Sequence, residues 1–452
     1  MIDVKNLREN PEIYKENTKR KFRDSKVVDS VLKLDVEWRK MKSEADNVRS
    51  ERNKISEQIN QEKKKGKDVS HLIKRAREIP EILGKIEEKE NEISARLKRE
   101  LYKIPNLMSK RVPIGKDDSE NKVEKVYGKP KKKSFPILSH VEITENLGIA
   151  DFDSSARVSG TGFYYLQGEL ALLNRALINY AIDIMRKKGF VYVETPLMLK
   201  NEIIDNVVDL NDQEKMIYRI SNDNVSLIGT SEHSLIGRFA GQEINEKKLP
   251  IKHTSYSMCF RKEIGGKGID EKGLFRTHQF NKVEMVVICE PKDSEKSFEE
   301  LKKITIEIFK GLDIPIRVLK ICSGDLGDLK YYSDDIEAWS PRQKKYFEVG
   351  SCSNLTDAQA RRLGISTRIK GERIVPHTLN NTAIATSRAL VAILENHQQK
   401  DGSIKIPKAL WKYTGFKEIR KSPSFLTRLG KKEIKRKAEK KKNENKKSKR
   451  RR

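Results

Sequence analysis

Cysteine is scarce in this chain of 452 residues, and its spacing carries no metal or disulfide signature. The four cysteines lie roughly thirty residues apart, with no CxxC pair and no CxxH: Cys259, Cys289, Cys322 and Cys352. Such spacing argues against a disulfide framework and against a structural zinc site. We therefore expect four reduced thiols and no zinc.

Long apolar runs are also missing. No stretch approaches the roughly 20 consecutive apolar residues that span a bilayer. The most apolar helical stretch, Leu170–Met185, is interrupted by Asn174, Arg175, Asn179 and Asp183. The first residues, MIDVKNLREN, lack the apolar core of a secretion signal. We therefore expect a cytoplasmic protein with no membrane partner.

Familiar nucleotide-binding and hydrolytic motifs are absent as well. The sequence has no GxxxxGKS/T, no GxGxxG after a predicted strand, no HExxH and no GxSxG. If the chain binds a nucleotide, side chains rather than a P-loop must hold the phosphates.

Positive charge is present in excess. The chain has 94 lysines and arginines against 66 aspartates and glutamates, a formal net charge of +28. Such a balance is typical of proteins that bind polyanions, most often nucleic acids. The segment 421–452 alone contains sixteen basic and three acidic residues. Because this low-complexity tail cannot bury a core, we predict that it is disordered.

Two heptad patterns dominate the first quarter of the chain. Apolar residues alternate by three and four over 31–59, where Arg52 is the one break, and again over 72–97. A polar segment centred on Gly66 separates the patterns. Two sustained apolar seams joined by a short turn predict an antiparallel two-helix coiled-coil arm. Pro80 should kink its second helix.

The predicted tip of this arm is basic. Between Lys54 and Arg77 there are eight basic and three acidic residues. One interpretation is a solvated coiled-coil face, and the other is a projecting arm whose end contacts the phosphates of RNA. The candidate RNA-binding residues are Lys63, Lys64, Lys65, Lys67, Lys74 and Arg75.

Composition divides the chain into four parts: a helical domain at 1–106, a linker at 107–134, a globular domain at 135–420 and the tail at 421–452. The early strands of the globular part are not separated by crossover helices. This favours an α+β fold, in which helices flank an antiparallel sheet, over a doubly wound parallel sheet. The predicted strands are Phe190–Glu194, Ile217–Ile220, Met258–Lys262, Lys282–Cys289, Ile316–Ile321 and Lys345–Ser353, and the predicted helices are Leu170–Lys187, Ser294–Leu312 and Ala383–His397.

Arginine and glutamate are concentrated in Met258–Glu284, a predicted hairpin with a glycine-rich loop. Because side chains alternate along a strand, Arg261 and Glu263 should share one face. One face of the returning strand should carry Arg276, Phe280, Lys282 and Glu284. Arginine binds phosphate through a bidentate fork, and an aromatic ring can stack on a base. The segment could therefore hold a nucleoside triphosphate; the alternative is an exposed, salt-bridged hairpin.

Three further segments place polar groups near predicted strand ends. The run Thr230–Glu232 follows an apolar strand, and Glu348 lies at the end of another strand, followed by hydroxyl residues. Arg388 lies near the start of an apolar helix that follows a polar loop opening at His377. An arginine that faces inward on such a helix needs an acid or anion as its partner.

These segments resemble the motifs of class II aminoacyl-tRNA synthetases over about residues 1–415. The sequences FRKE at Phe260–Glu263 and GLFRTHQFNKVE at Gly273–Glu284 resemble the second motif of that class, and LNNTAIATSR at Leu379–Arg388 resembles the third. The region 169–196 is similar to the first motif, which forms the dimer interface in the class.

Three features narrow the resemblance to seryl-tRNA synthetases. They are the Thr-x-Glu of Thr230–Glu232, the EVGSCSN of Glu348–Asn354 and the two-helix arm. The implied fold is an antiparallel catalytic sheet with an N-terminal arm. The implied activity joins serine to ATP as seryl-adenylate and then transfers the seryl group to the 3′ end of tRNA(Ser). The resemblance leaves open whether tRNA(Sec) is also a substrate.

The resemblance also implies roles for individual residues. Arg261 would bind the substrate carboxylate and the α-phosphate, and with Arg388 it is a candidate catalytic residue. Glu348 and Ser351 would ligate Mg²⁺, which prefers oxygen ligands. The implied ATP-binding residues are Arg261, Lys262, Glu263, Arg276, Phe280, Glu348, Val349, Ser351 and Arg388. The implied serine-binding residues are Thr230, Ser231, Glu232, Arg261, Glu284, Asn380 and Thr382.

The implied partners are tRNA(Ser), serine, ATP with Mg²⁺, and a second copy of the chain that pairs through about 165–200. Two other interpretations stay open. One is a ligase of the same fold that charges a carrier protein, against which the basic arm argues. The other is a non-catalytic RNA-binding paralogue with a decayed site. The intact set of charged residues argues against decay: Arg261, Glu263, Arg276, Glu284, Glu348 and Arg388.

Overall fold

The computed structural model describes residues 2–263 and 273–421. Part of the predicted glycine-rich loop, with Gly265, Gly266 and Gly268, lies outside the described residues, as does the predicted tail beyond Lys421. Within 2–263 and 273–421, no helix is both long and apolar enough to cross a bilayer. The four cysteines are buried free thiols.

Four helices form the N-terminal part, and the last two form the predicted arm: Val4–Glu9, Pro11–Arg20, Lys26–Lys64 and Ser70–Leu101. The predicted seams are the buried ones, since Ala45 and Ile55 on one helix and Leu83 on the other are buried, whereas Arg52 is exposed. Gly66 lies in the connecting turn with φ +71°, a conformation that favours glycine. Pro80 does not interrupt its helix. The arm prediction is confirmed.

The base of the arm is fixed to the rest of the protein by buried polar contacts. Asn106 Nδ2 donates to the carbonyls of Leu329 and Leu355, at 3.0 and 2.9 Å. The fully buried Lys21 donates to the carbonyls of Gly327 and Lys330, at 3.3 and 3.0 Å. Because unmade hydrogen bonds of buried groups are costly, these contacts hold the arm in one orientation.

An eight-stranded sheet forms the centre of the globular part. All its pairings are antiparallel except that of the last two strands, as the predicted α+β class requires. In spatial order the strands are Lys122–Tyr127, Ile316–Lys320, Tyr332–Ser340, Lys345–Thr356, His377–Ala385, Gln279–Cys289, Ile251–Phe260 and Val191–Tyr192. The antiparallel sheet is confirmed.

The central strand Gln279–Cys289 is buried on both sides, and its side chains alternate between two cores. Val283, Met285 and Val287 belong to the larger core. Val286 and Ile288 belong to a smaller one on the other face. The larger core is built with the helices Gly168–Lys187, Ser294–Gly311 and Thr386–His397, and the smaller with Asn201–Val207 and Ser231–Gly237.

Shorter elements complete the globular part. The remaining helices are His140–Leu147, Phe152–Ser159, Leu210–Met216, Ala358–Arg362 and Trp411–Thr414, with 3₁₀ turns at Asp118–Glu120, Glu246–Lys248, Pro291–Asp293 and Lys408–Leu410. A three-stranded sheet contains Glu372–Ile374, Ser366–Ile369 and Glu243–Ile244. Three strand pairs are Ile404–Lys405 with Glu418–Ile419, Ala150–Asp151 with Tyr165–Leu166, and Met198–Lys200 with Val225–Leu227.

Three secondary-structure predictions were wrong. The segment 107–134 is not a free linker, because Lys122–Tyr127 forms the edge strand of the large sheet. This strand is mostly exposed and therefore lacks an apolar pattern. The predicted polar loop that opens at His377, together with the first residues of the predicted helix Ala383–His397, is instead the central strand His377–Ala385. Two of its polar residues, Asn380 and Thr382, line a cleft. Ile217–Ile220 forms no strand and makes only an isolated bridge, from Arg219.

Candidate active site

Two neighbouring clefts open on the face of the sheet that carries Phe280, Lys282 and Glu284. The first, here called the arginine cleft, is lined by Arg261, Arg276 and Arg388 with Phe275 and Phe280. The second, the carboxylate cleft, has a volume of about 340 Å³ and is lined by Glu232, Asp335, Asn380 and Ser351 among others. The residues that line both clefts are Arg261, Lys282, Glu348 and Thr382.

Glu284 lies beneath the carboxylate cleft and is fully buried. Its Oε2 accepts hydrogen bonds from Thr230 Oγ1 at 3.1 Å and from Lys282 Nζ at 2.5 Å. Its Oε1 has no hydrogen-bond partner among the described residues. A buried carboxylate oxygen without a donor is costly, so this arrangement is suited to a ligand that brings a donor.

Glu232 borders the same cleft and accepts from two amides. Its Oε2 accepts from Asn380 Nδ2 at 2.7 Å, and its Oε1 accepts from Gln359 Nε2 at 3.1 Å. Burial, and secondly the charge of Glu284, raise the pKa of Glu232 to about 7. Oδ1 of Asn380 is buried without a partner in the described part of the chain. The cleft thus offers carboxylate and amide oxygens to a small ligand with several donors.

Arg261 connects the two clefts. Its guanidinium lies over the ring of Phe280, 5.3 Å from the centroid, and its Nε donates to the carbonyl of Gly229 at 3.1 Å. The cation–π contact and the hydrogen bond hold the side chain at the junction. Most of its donors are left for an anion, because guanidinium carries five.

The predicted alternation around Arg261 was wrong in detail. The strand ends at Phe260, so Arg261 and Glu263 do not lie on a strand, and Glu263 has φ +49°. The returning strand begins at Gln279, after Arg276. Arg276 still reaches the cleft, where its Nη1 lies 3.6 Å from Glu263 Oε2. The chain turns away from the sheet at this point, so strand alternation no longer applies.

Arg388 has the predicted acid partner. Its Nη1 donates to Glu348 Oε2 at 3.0 Å and to the Glu348 carbonyl at 2.8 Å. Its guanidinium also lies 5.6 Å from the centre of the Phe275 ring. The side chain is partly exposed rather than inward-facing. Partial desolvation raises the pKa of Glu348, but the charge and hydrogen bond of Arg388, with the charges of Arg261 and Lys330, lower it overall.

Ser351 and Asp335 face each other across paired strands. Burial, and next the charge of Glu348, raise the pKa of Asp335 to about 7, and its Oδ1 is a buried atom without a partner among the described residues. In the described ranges 2–263 and 273–421, no group of three His, Cys, Asp or Glu side chains is arranged to hold a metal. The carboxylates of Asp335 and Glu348 and the hydroxyl of Ser351 nevertheless line the same cleft.

Three predicted site residues do not present their side chains to either cleft. Ser231 is buried and its hydroxyl donates to the carbonyl of Ser255 at 3.4 Å, so its side chain does not face the cleft. The side chain of Val349 lies in the larger core, which leaves its backbone to face the arginine cleft. Lys262 is not among the residues that line either cleft.

Three residues to which the sequence prediction gave no role line the clefts or contact their residues: Lys282, Asp335 and Gln359. Lys282 was expected on the strand face of Glu284, because the two are two residues apart, but no function was assigned to it. Asp335 could not have been found from the sequence, because its proximity to Ser351 depends on the register between two strands. Gln359 lies on the short helix Ala358–Arg362 and gives no signal in the sequence.

The basic tip of the arm lies apart from both clefts, and five of its six candidate residues are exposed. They are Lys63, Lys64, Lys65, Lys67 and Lys74. Arg75 is different because its Nε and Nη2 donate to Glu51 across the hairpin, at 2.7 and 3.1 Å. Its charge is therefore partly compensated.

Comparison with known proteins shows which family has this architecture. Residues 1–108 match the model of the seryl-tRNA synthetase N-terminal domain, and residues 215–397 match the class II tRNA synthetase core domain of the G, H, P, S and T enzymes. A serine–tRNA ligase of Pyrococcus horikoshii is 43% identical over 444 residues, which cover 93% of this chain and 97% of the relative. The chain belongs to the seryl-tRNA synthetase family.

Further relatives agree. A serine–tRNA ligase of Methanospirillum hungatei is 43% identical and covers 93% of this chain and 100% of its own. The crystal structure of the P. horikoshii seryl-tRNA synthetase complexed with ATP has a TM-score of 0.85 and 42% identity, over 93% of this chain and 100% of that one. The crystal structure of the cytoplasmic serine–tRNA ligase of Naegleria fowleri in complex with AMP has a TM-score of 0.79 and 33% identity. The match covers 91% of this chain and 96% of that one. The family resemblance drawn from the motifs is confirmed.

Proposed function

We infer that this chain is a serine–tRNA ligase, an ATP-dependent aminoacyl-tRNA synthetase. The observation that carries the inference is the junction of two unlike clefts at Arg261, one lined by arginines and the other by carboxylates and amides. A triphosphate suits the first cleft, and a small ammonium-bearing substrate suits the second. The reactive carboxylate and the α-phosphate would then meet at Arg261.

In the first step, a carboxylate oxygen of serine attacks the α-phosphorus of ATP, and the bond to the pyrophosphate leaving group breaks. We propose that Arg261 stabilises the negative charge that develops on the α-phosphate, since preorganised donors are most effective where charge forms. Arg276 and Arg388 would hold the terminal phosphates, and Phe280 and Glu263 the adenine ring and its amino group. The seryl group then passes to a ribose hydroxyl at the 3′ end of tRNA, and AMP leaves.

Serine would occupy the carboxylate cleft. Glu232 would receive the ammonium group, while Thr230, Glu284, Asn380 and Thr382 would surround the hydroxyl. The unpartnered Oε1 of Glu284 and Oδ1 of Asn380 support this assignment, because a hydroxyl donor can satisfy one of them. Alanine lacks that donor and would leave the oxygens unpaired, which is a strong basis for rejecting it.

Mg²⁺ fits the edge of the carboxylate cleft. We propose that Glu348 and Ser351 hold it, joined by Asp335, whose buried Oδ1 lacks a partner among the described residues. Oxygen ligands of this kind suit a hard cation. When bound, the ion would neutralise phosphate charge.

The test of this function has two stages. Serine should drive exchange of pyrophosphate into ATP, and alanine and threonine should not. The same protein should then charge tRNA(Ser). Absence of exchange would favour the non-catalytic paralogue, and exchange without tRNA charging would favour a carrier-protein ligase. A comparison of tRNA(Ser) with tRNA(Sec) in the second stage decides whether both are substrates.

The raised pKa of Glu232 predicts that serine binding depends on pH. The carboxylate attracts the ammonium group only when ionised, so binding should weaken as the pH falls through about 7. A single titration with this pKa raises the serine KM about tenfold between pH 8 and pH 6. Steady-state exchange over this range measures it, with the ATP KM as the internal control. A serine KM that stays constant over this range would contradict the assignment of Glu232.

The region 165–200 supports the proposed homodimer. Five large apolar side chains in it are exposed: Tyr165, Leu172, Val191, Leu197 and Met198. Exposed apolar side chains that cluster on a surface usually mark an interface, so this region is a candidate for one. We propose that a second copy covers it, and expect Leu172→Arg to give a monomer in analytical ultracentrifugation. Val36→Arg, on a similarly exposed valine of the arm, is the matched control and should remain dimeric.

A further inference from the structure

The direction of the Glu232 carboxylate is set by two amides that differ in their position. Asn380 lines the carboxylate cleft and could itself contact a substrate. Gln359 is fully buried and is not among the residues that line the cleft, yet its Nε2 donates to Glu232 Oε1 at 3.1 Å. Gln359 therefore reaches Glu232 from behind the cleft wall.

Gln359 is itself held in one orientation. Its Oε1 accepts from Thr378 Oγ1 at 3.0 Å, and its Nε2 also donates to the carbonyl of Val207 at 3.3 Å. A backbone carbonyl can only accept, so the NH₂ group must lie on the side of Val207 and Glu232. Every polar atom of the Gln359 amide is thus used, and three elements of the fold determine where its donors point.

We propose that Gln359 is a positioning residue for the serine substrate, which orients the Glu232 carboxylate toward the ammonium group without contacting serine. The proposal rests on the proposed function, because Glu232 is the acceptor assigned to that ammonium group. With Oε1 held by Gln359 and Oε2 by Asn380, the carboxylate cannot rotate, and its remaining lone pairs have fixed directions.

An uncharged hydrogen-bond donor such as the Gln359 amide suits the position beside Glu232 for electrostatic reasons. The charged groups that act on Glu232 are Glu284, Lys282 and Lys330. A further cation in place of Gln359 would compete with the ammonium group, and a further carboxylate would favour the protonated form of Glu232. An amide fixes the carboxylate and leaves the net charge of the cleft unchanged.

The decisive variant is Gln359→Leu, which keeps a similar volume and removes both donors. We expect the serine KM in pyrophosphate exchange to rise about tenfold or more, because hydrogen bonds to charged groups are the stronger ones. The ATP KM should stay within about twofold. The matched control is Gln398→Leu, since Gln398 is another buried glutamine, which donates to the Leu138 carbonyl away from both clefts.

Thr378→Val gives a second, isosteric variant, in case Gln359→Leu does not fold. It removes only the hydroxyl that orients the amide, so the serine KM should rise in the same direction but less, about threefold. A serine KM within twofold of the wild type in both variants would overturn the proposal. An equal rise in the KM of ATP and serine would also overturn it, because that result indicates a general structural role.

The pH profile separates positioning from a loss of fold. The donor Gln359 stabilises the ionised form of Glu232, so its removal should move the midpoint of the serine KM profile to higher pH. The control Gln398→Leu should keep the wild-type midpoint. If the wild-type protein shows no serine-dependent exchange, the proposed function fails. If it does, and Gln359→Leu keeps both the KM and the midpoint, only this inference fails.

Discussion

Shortening the arm is expected to abolish tRNA charging while serine-dependent pyrophosphate exchange continues at nearly the wild-type rate. The two arm helices have 39 and 32 residues, so the longer spans about 58 Å at 1.5 Å per residue. The exposed lysines at the tip are therefore far along a rigid rod, and the buried hydrogen bonds of Lys21 and Asn106 fix its base. Rigid placement of basic groups suits recognition of RNA by its shape and backbone.

The structure indicates where the arm can be cut. The base cluster, with Val28, Val31, Leu34, Leu97 and Leu101, must remain because it packs against the first two helices. Residues 43–88 can be replaced by a short glycine-serine turn, which removes the second cluster around Ala45 and the whole tip. We expect kcat/KM for tRNA to fall on the order of 10³ or more, since the shortened protein can no longer reach several phosphates at once.

A finer variant tests the charge alone. Replacing the five exposed tip lysines by glutamine should weaken tRNA binding and reduce its salt dependence. The slope of the logarithm of the binding constant against the logarithm of the salt concentration should become shallower by about 0.7 to 0.9 for each phosphate that is no longer neutralised. The control is Arg49→Gln on the shaft, where the arginine pairs with Asp46 and Glu87. Normal tRNA selection without the arm would contradict its proposed role. Exchange activity that disappears with the arm would show that the arm supports the catalytic fold.

Arg388→Ala is expected to reduce adenylate formation by about 10² to 10³, with little change in thermal stability. Removal of one preorganised donor from a developing negative charge has this order of effect. The ion pair with Glu348 is partly exposed, so its removal should cost at most about 1 kcal/mol of stability. Serine-dependent exchange and the thermal unfolding midpoint measure the two effects.

Arg368→Ala is the matched control. Arg368 forms an ion pair of the same length, 3.0 Å, with Glu243 on the surface away from both clefts. Its removal should leave exchange unchanged. Arg388→Lys keeps the charge but not the planar fork, and should recover only part of the activity. Near-normal exchange in Arg388→Ala, or a large fall in the unfolding midpoint, would instead assign Arg388 to anchoring its helix.

The sequence predicted the arm and five of the eight strands of the large sheet, because these depend on local periodicity, whereas Lys122–Tyr127, Tyr332–Ser340 and His377–Ala385 were not predicted. A heptad seam marks its own buried face, and the burial of Ala45, Ile55 and Leu83 follows it. The strand Gln279–Cys289 was partly predicted because its second half, Met285–Cys289, is apolar on both faces. The strand His377–Ala385 was missed because its cleft-facing residues are polar, and Lys122–Tyr127 was missed because an exposed edge strand has no apolar face.

The site residues were predictable where they lie within motifs. Thr230, Glu232, Glu284 and Arg388 are in such segments, and the structure brings all of them to the two clefts or directly beneath them. The alternation argument failed at Glu263 because the chain leaves the strand after Phe260. Their individual roles stay predictions, which the variants above test.

The sequence by itself determined the class of each segment: a coiled-coil arm, an antiparallel sheet and segments rich in arginine and acid. Only the tertiary structure decided which distant residues meet. Strand register places Asp335 opposite Ser351, and packing brings Gln359 to Glu232 and Lys21 to the carbonyl of Lys330. Local patterns depend on interactions a few residues apart. Register and docking depend on interactions between residues far apart in sequence, such as Lys21 and Lys330 at a separation of 309 positions, which no periodicity encodes.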